Sequence, residues 1–104
     1  MAISKSNQLQ FHGAIQIKSN DNVATLIREV KQGDIVKVYS VEKNLDLDVR
    51  SNENIPRGHK IALIYIKKGE KVIKYGETIG ITTANIKKGD YVHVHNLDSI
   101  RGKI

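Results

Sequence analysis

The sequence predicts a mostly β protein with one short helix, and three observations predict it. Period-two alternation recurs along the chain, residues 60–66 are apolar on both faces, and one short glycine turn returns three times. A chain of 104 residues holds one domain with a modest core, and no low-complexity linker divides it, so residues 1–104 are expected to form a single unit.

Taken in order, FHGAIQIK (11–18) alternates, with Phe11, Gly13, Ile15 and Ile17 on one face and His12, Gln16 and Lys18 on the other. A helix is expected at about 22–31. Asp21 or Asn22 would cap it, Val23, Leu26, Ile27 and Val30 recur at helical spacing, and Gly33 stands where a C-terminal stop belongs. DIVKVYSV (34–41) is β-branched and reads as the hairpin partner of NLDLDVR (44–50). In the latter, Leu45, Leu47 and Val49 are expected inward, and Asp46, Asp48 and Arg50 outward. Pro56, in NIPRGHK, marks the turn into KIALIYI (60–66), which is expected to be a fully buried strand.

The repeated pattern is VKQGDIV (30–36), IKKGEKV (66–72) and IKKGDYV (86–92). Each copy sets an apolar residue, two polar residues, Gly, an acid, then a Val two positions on. This is a tight turn needing positive φ at Gly33, Gly69 and Gly89 between two apolar anchors. A phosphate loop would need a longer glycine-rich run opening a helix, with Ser or Thr after the Lys. No copy has that, so all three are read as structural turns.

Composition narrows the function. There is no cysteine, which excludes disulfides and thiolate metal sites held by this chain alone and is compatible with a cytoplasmic location. MAISKSNQLQ lacks the apolar stretch of a signal peptide, and no apolar run is long enough to span a membrane. Residues 1–54 carry seven Lys and Arg against seven acids, and residues 55–104 carry ten against four, so the whole net charge of +6 lies in the second half. That asymmetry points to an anionic partner, or to solvated turn lysines kept for solubility. Nucleic acid is not the expected partner: the chain has five aromatics in total, and no base-reading signature is present.

Two stretches concentrate chemistry. In YVHVHN (91–96), alternation puts Tyr91, His93 and His95 on one strand face and Val92, Val94 and Asn96 on the other, which the valines mark as the buried one. Two such histidines suit a divalent ion when a third ligand joins them, and otherwise form a solvated strand face. IKYGETIG (73–80) presents Lys74 and Tyr75 on a bend at Gly76, where a cation and a phenol can meet a carboxylate or simply support a turn. No nucleophile–base pair is apparent.

NIPRGHKIAL (54–63), IKKGEKVIKYGETIG (66–80) and IKKGDYVHVHN (86–96) together resemble the N-terminal SAF module of the altronate and galactarate dehydratases. The family pattern runs I-P-x-G-H-K-x-A, then I-x-x-G-x-x-V-x-K-Y-G-x-x-I-G, then G-x-x-V-H-x-H-N, and this chain matches every fixed position. DNVAT (21–25) followed by KQGD also looks like the family's opening segment, so the resemblance covers about residues 15–97. It implies a β-clip fold and a role in a hydro-lyase that dehydrates a sugar acid, or cleaves a related sulfo-hydroxy acid. It also implies a divalent metal, iron in the family as usually described, bound mainly by a large subunit.

The single-chain relatives continue for several hundred residues after H-x-H-N, whereas this chain ends eight residues later. The resemblance therefore implies a small subunit paired with a separate large dehydratase subunit. A non-catalytic β-clip module for sugar acids or protein assembly is the alternative, and an edge-rich small β domain is also suited to forming a homo-oligomer. Carried over position by position, His93, His95, Lys74 and Tyr75 are expected in the catalytic site. His59, Lys60 and Asn96 are expected to bind the anionic hydroxy-acid substrate, and His93 and His95 to reach the metal.

Overall fold

The computed structural model describes residues 11–100, in which nine strands and no helix occur. The strands are β1 (Ala14–Gln16), β2 (Val23–Leu26), β3 (Ile35–Ser40), β4 (Leu45–Arg50), β5 (Lys60–Ala62), β6 (Lys71–Lys74), β7 (Glu77–Thr82), β8 (Tyr91–Val92) and β9 (Leu97–Ser99). They form a six-stranded sheet in the order β4-β3-β1-β2-β5-β8 and a three-stranded sheet in the order β6-β7-β9. No helix among the described residues is long and apolar enough to cross a membrane.

The expected β3–β4 hairpin forms, in register from Ile35↔Arg50 to Ser40↔Leu45. Its inward face is only partly closed: Val49 is buried, Leu47 half-buried and Leu45 exposed. A second hairpin joins β6 to β7 through Tyr75 and Gly76, at φ +56° and +76°. Two successive positive φ values give a turn that follows the natural twist of its strands, and glycine at the second position suits it.

Two apolar clusters lie on opposite sides of β2 and β5. Ala24, Leu26 and Ile61 face one with Val36, Val38 and Val49. Val23 and Ala62 face the other, where Val72, Ile79 and Leu97 of the small sheet pack beside Val92. Alternating side chains of the same two strands thus glue the sheets together, so both faces of these strands must be apolar.

The three glycine turns are one unit built three times. In each, the acidic residue's amide donates to the first lysine's carbonyl: Asp34 to Lys31 at 3.0 Å, Glu70 to Lys67 at 2.9 Å, Asp90 to Lys87 at 3.0 Å. The acid's carboxylate in turn accepts the amide of that same lysine, at 2.9, 2.6 and 2.8 Å. Gly33, Gly69 and Gly89 have φ of +92°, +89° and +92°, and their amides donate to Ser51, Thr82 and Ala62. The apolar anchors are all buried: Val30 and Val36, Ile66 and Val72, Ile86 and Val92. An internal carboxylate thus occupies the position where a phosphate would seek the lysine amide, in keeping with structural turns.

The helix expected at 22–31 is a strand. Val23–Leu26 pairs with β1 on one side and β5 on the other. Asn22 is no helix cap: its amide donates to the Ile73 carbonyl at 3.1 Å, while its side chain accepts from Ile73 N–H at 2.8 Å and donates to the Lys71 carbonyl at 2.9 Å. Asp21 accepts from Gly76 N–H at 2.8 Å and from Lys18 N–H at 3.0 Å. Side chains that suit capping here clamp the β6–β7 hairpin instead, and helical spacing yields to two ladders of tertiary hydrogen bonds.

Two further expectations change. KIALIYI is a strand only over Lys60–Ala62, after which Ile64 and Tyr65 are exposed. Along 11–18 the buried residues are His12, Ala14 and Gln16. Gln16 is accommodated because it donates to the Asp21 carbonyl at 2.8 Å and accepts from Ser40 Oγ at 2.6 Å, which satisfies a polar group in the interior.

Candidate functional site

Strand pairing brings the GHK and YVH segments together. β5 and β8 run antiparallel with Lys60 opposite Val92 and Ile61 opposite Tyr91. Upstream, Gly58 at φ +83° donates to the Leu26 carbonyl at 2.8 Å, and the Leu26 amide returns to the His59 carbonyl at 2.8 Å. That turn delivers His59 to the start of β5, across from the residues that follow β8.

YVHVHN is not the expected extended strand. β8 ends at Val92, and residues 93–95 form a turn that Asn96 closes. Asn96 accepts from His93 N–H through Oδ1 at 3.0 Å, its Nδ2 donates to the Tyr91 carbonyl at 2.8 Å, and its amide donates to the His93 carbonyl at 3.0 Å. Val94, expected on the buried face, is 64% exposed. A side chain that forms two local backbone hydrogen bonds competes with the strand ladder and here displaces it. Asn96 is therefore buried as the clasp of the turn.

The turn still gathers the rings. His59 and His93 have centroids 4.6 Å apart, Tyr91 stacks on His93 at 5.7 Å and 17°, and Tyr91 meets His95 edge-on at 5.2 Å. Tyr91 Oη lies 2.6 Å from His59 Nδ1. Tyr91 was legible as the third member of the alternating face, yet a phenol carries little weight beside two histidines in a sequence. Glu53, whose carboxylate accepts from Tyr91 N–H at 2.9 Å, had no signal at all.

The site is electropositive. Lys60 is only 3% exposed, and among the described residues its side chain has no hydrogen-bonding or ion-pair partner. Burial, reinforced by the positive charge of Lys74, holds its ammonium below the ordinary lysine range. His93 is likewise held below the usual histidine value, first by burial, then by His59, Lys60 and His95. Its Nδ1 is buried and has no hydrogen-bond partner among the described residues. Lys74 lies close enough to act on Lys60, and its Nζ sits 4.9 Å from the Tyr75 ring centre. Tyr75 itself is half exposed at the hairpin tip, where its ring lies against Lys74 and takes no part in the stacking of the imidazoles.

The depressed His93 has a consequence for stability. Above about pH 6.5 the imidazole is neutral in both folded and unfolded chains and contributes no pH dependence. As pH falls through that value, the unfolded chain takes the proton first, so stability falls until the folded pKa is passed as well. Urea midpoints at pH 7.5 and 5.5 should therefore differ more for the wild type than for His93→Gln. Parallel pH dependence in the two proteins would contradict the burial of His93.

Among the described residues no three His, Asp or Glu side chains are arranged to hold a metal ion. His93 and His95 are two imidazoles, fewer than the protein donors a defined metal site ordinarily has.

The sequence profile of the altronate/galactarate dehydratase SAF domain matches residues 12–100. The chain belongs to this family. The SAF domain is 37% identical over 82 residues to altronate dehydratase of Bacillus subtilis and 43% identical over 82 residues to that of Escherichia coli. Each match takes in 79% of this chain but 15% of the relative. The (2R)-sulfolactate sulfo-lyase subunit alpha of Chromohalobacter salexigens is 32% identical over 84 residues, which is 80% of this SAF domain and 89% of that subunit. Relatives of this SAF domain thus include regions of larger dehydratases and a lyase subunit of comparable length.

Proposed function

We propose that this SAF domain is the small subunit of a lyase that eliminates water or sulfite from an anionic hydroxy acid, and that it works with a large dehydratase chain in the cytoplasm. The observation that carries the reading is Lys60, a lysine whose side chain is almost wholly covered and which has no acidic partner among the described residues, beside two packed imidazoles. A buried charge is costly unless it is paired. A substrate carboxylate would supply the missing negative charge, and Lys74 would add attraction from the hairpin. Two small sheets joined through β2 and β5 support a β-clip reading of the fold.

His93 and His95 fit a metal shared with the large chain, because His93 is held neutral near pH 7 and its Nδ1 is uncommitted among the described residues. Such a metal, when bound, would act as a Lewis acid at the carboxylate. The SAF domain's own contribution is to neutralise the substrate's charge with Lys60 and Lys74 and to present imidazoles at the reacting carbons. His59 reaches the same place through the β5–β8 register.

Reconstitution with the large chain tests this. The pair should turn over a hydroxy acid that neither chain turns over alone. His93→Ala and His95→Ala should each lower kcat/KM by about 100-fold or more. Full activity of the large chain alone, or undiminished turnover and metal content in both variants, would refute the reading.

A further inference from the structure

The hydroxyl of Tyr91 and the imidazole of His59 form a pair whose role is not contained in the shared motifs. The Oη–Nδ1 separation of 2.6 Å is shorter than N–H···O bonds ordinarily reach and lies within the range of O–H donors. With the phenol as donor, Nδ1 of His59 accepts through its lone pair. In a neutral imidazole the proton then belongs to Nε2. The pairing of β5 with β8 puts the two residues on neighbouring strands, and their rings meet edge-on at 5.5 Å.

Tyr91 is held from four directions. Its amide donates to Glu53 at 2.9 Å, and its carbonyl accepts from Asn96 Nδ2 at 2.8 Å. Its ring packs against the larger apolar cluster and stacks on His93. A phenol fixed in this way orients its partner with little entropic cost on ligand binding.

We propose that Tyr91 is a positioning residue: it locks His59 in the Nε2–H tautomer, so that His59 offers a hydrogen-bond donor to the hydroxy-acid oxygen. This rests on the lyase reading above for its ligand, but not for its geometry. Because a donor aimed at a hydroxyl or carboxylate oxygen must carry its proton before the ligand arrives, fixing the tautomer spares a reorganisation during turnover.

Nitrogen NMR of the 15N-labelled chain at pH 8 decides the point. His59 should show an unprotonated Nδ1 shifted by a hydrogen bond and a protonated Nε2. Tyr91→Phe, which keeps the ring, should move Nδ1 to the position of a free unprotonated nitrogen. In the reconstituted lyase it should lower kcat by about tenfold with KM little changed. A proton on Nδ1 of the wild type, or unchanged His59 signals in Tyr91→Phe, would overturn the proposal. His59→Gln assigns the signals and serves as a second variant should Tyr91→Phe fold poorly. If the reconstituted pair proves inactive, the lyase reading falls while the nitrogen signals still decide the tautomer.

Discussion

Gly89→Ala is expected to destabilise the protein by about 3–5 kcal/mol, against about 1 kcal/mol for Gly69→Ala. The two glycines occupy equivalent places in the repeated turn, at φ +92° and +89°, so an alanine pays the same left-handed backbone strain at both. Their surroundings differ. A β-carbon on Gly69 meets nothing within 4 Å, whereas one on Gly89 would collide with the Arg50 carbonyl oxygen and approach Asn52 Nδ2 at 3.2 Å. Backbone cannot swing aside as the end of a long side chain can. Moreover, Gly89 stands within a hydrogen-bonded seam, its amide donating to Ala62 and its carbonyl accepting from Asn52, both at 2.9 Å. Urea unfolding of the two variants separates backbone strain from steric collision. Equal losses of stability would mean that the Arg50 strand does not crowd this turn.

Lys60→Met should change stability and function in opposite directions. Methionine has a similar length, fills the same buried space between Thr25 and Val92, and removes an ammonium with no acidic partner among the described residues. The isolated chain should gain about 1 kcal/mol or more in unfolding free energy. The reconstituted lyase should lose about 100-fold in kcat/KM, because the substrate carboxylate loses its buried counter-charge. The substitution also relieves His93 of one of the cations that depress it, so the pH-dependent loss of stability should shrink in the variant. A Lys60→Met protein that is less stable yet fully active would show that the lysine is an ordinary structural residue.

Parts of this molecule were legible because they rest on local chemistry. The β3–β4 hairpin follows from alternation, and the three turns follow from a glycine flanked by an acid and apolar anchors, whose hydrogen bonds all close within a few residues. The basic second half and the matching motifs led to the same side chains, His59, Lys60, Lys74, His93 and His95. The helix expected at 22–31 failed for a definite reason. Asp21 and Asn22 carry the chemistry of a cap, and only the presence of β6 and the Gly76 amide alongside them gives those side chains other partners.

The candidate site divides in the same way. Alternation put Tyr91, His93 and His95 together, but through the wrong geometry: Asn96 bends the segment into a turn, and the rings converge by stacking instead of by lining one strand face. That Lys60 is buried without an acidic partner, and that Tyr91 reaches His59, depends on the register between β5 and β8, set by contacts some thirty residues apart in the chain. By itself the sequence determined the β class, the repeated turns, the family and the choice of candidate site residues, since each is written in short-range pattern. Only the tertiary structure decided which neighbour each polar group finds. A hydrogen bond or a buried charge is worth what its surroundings make it, and those surroundings are assembled from distant strands.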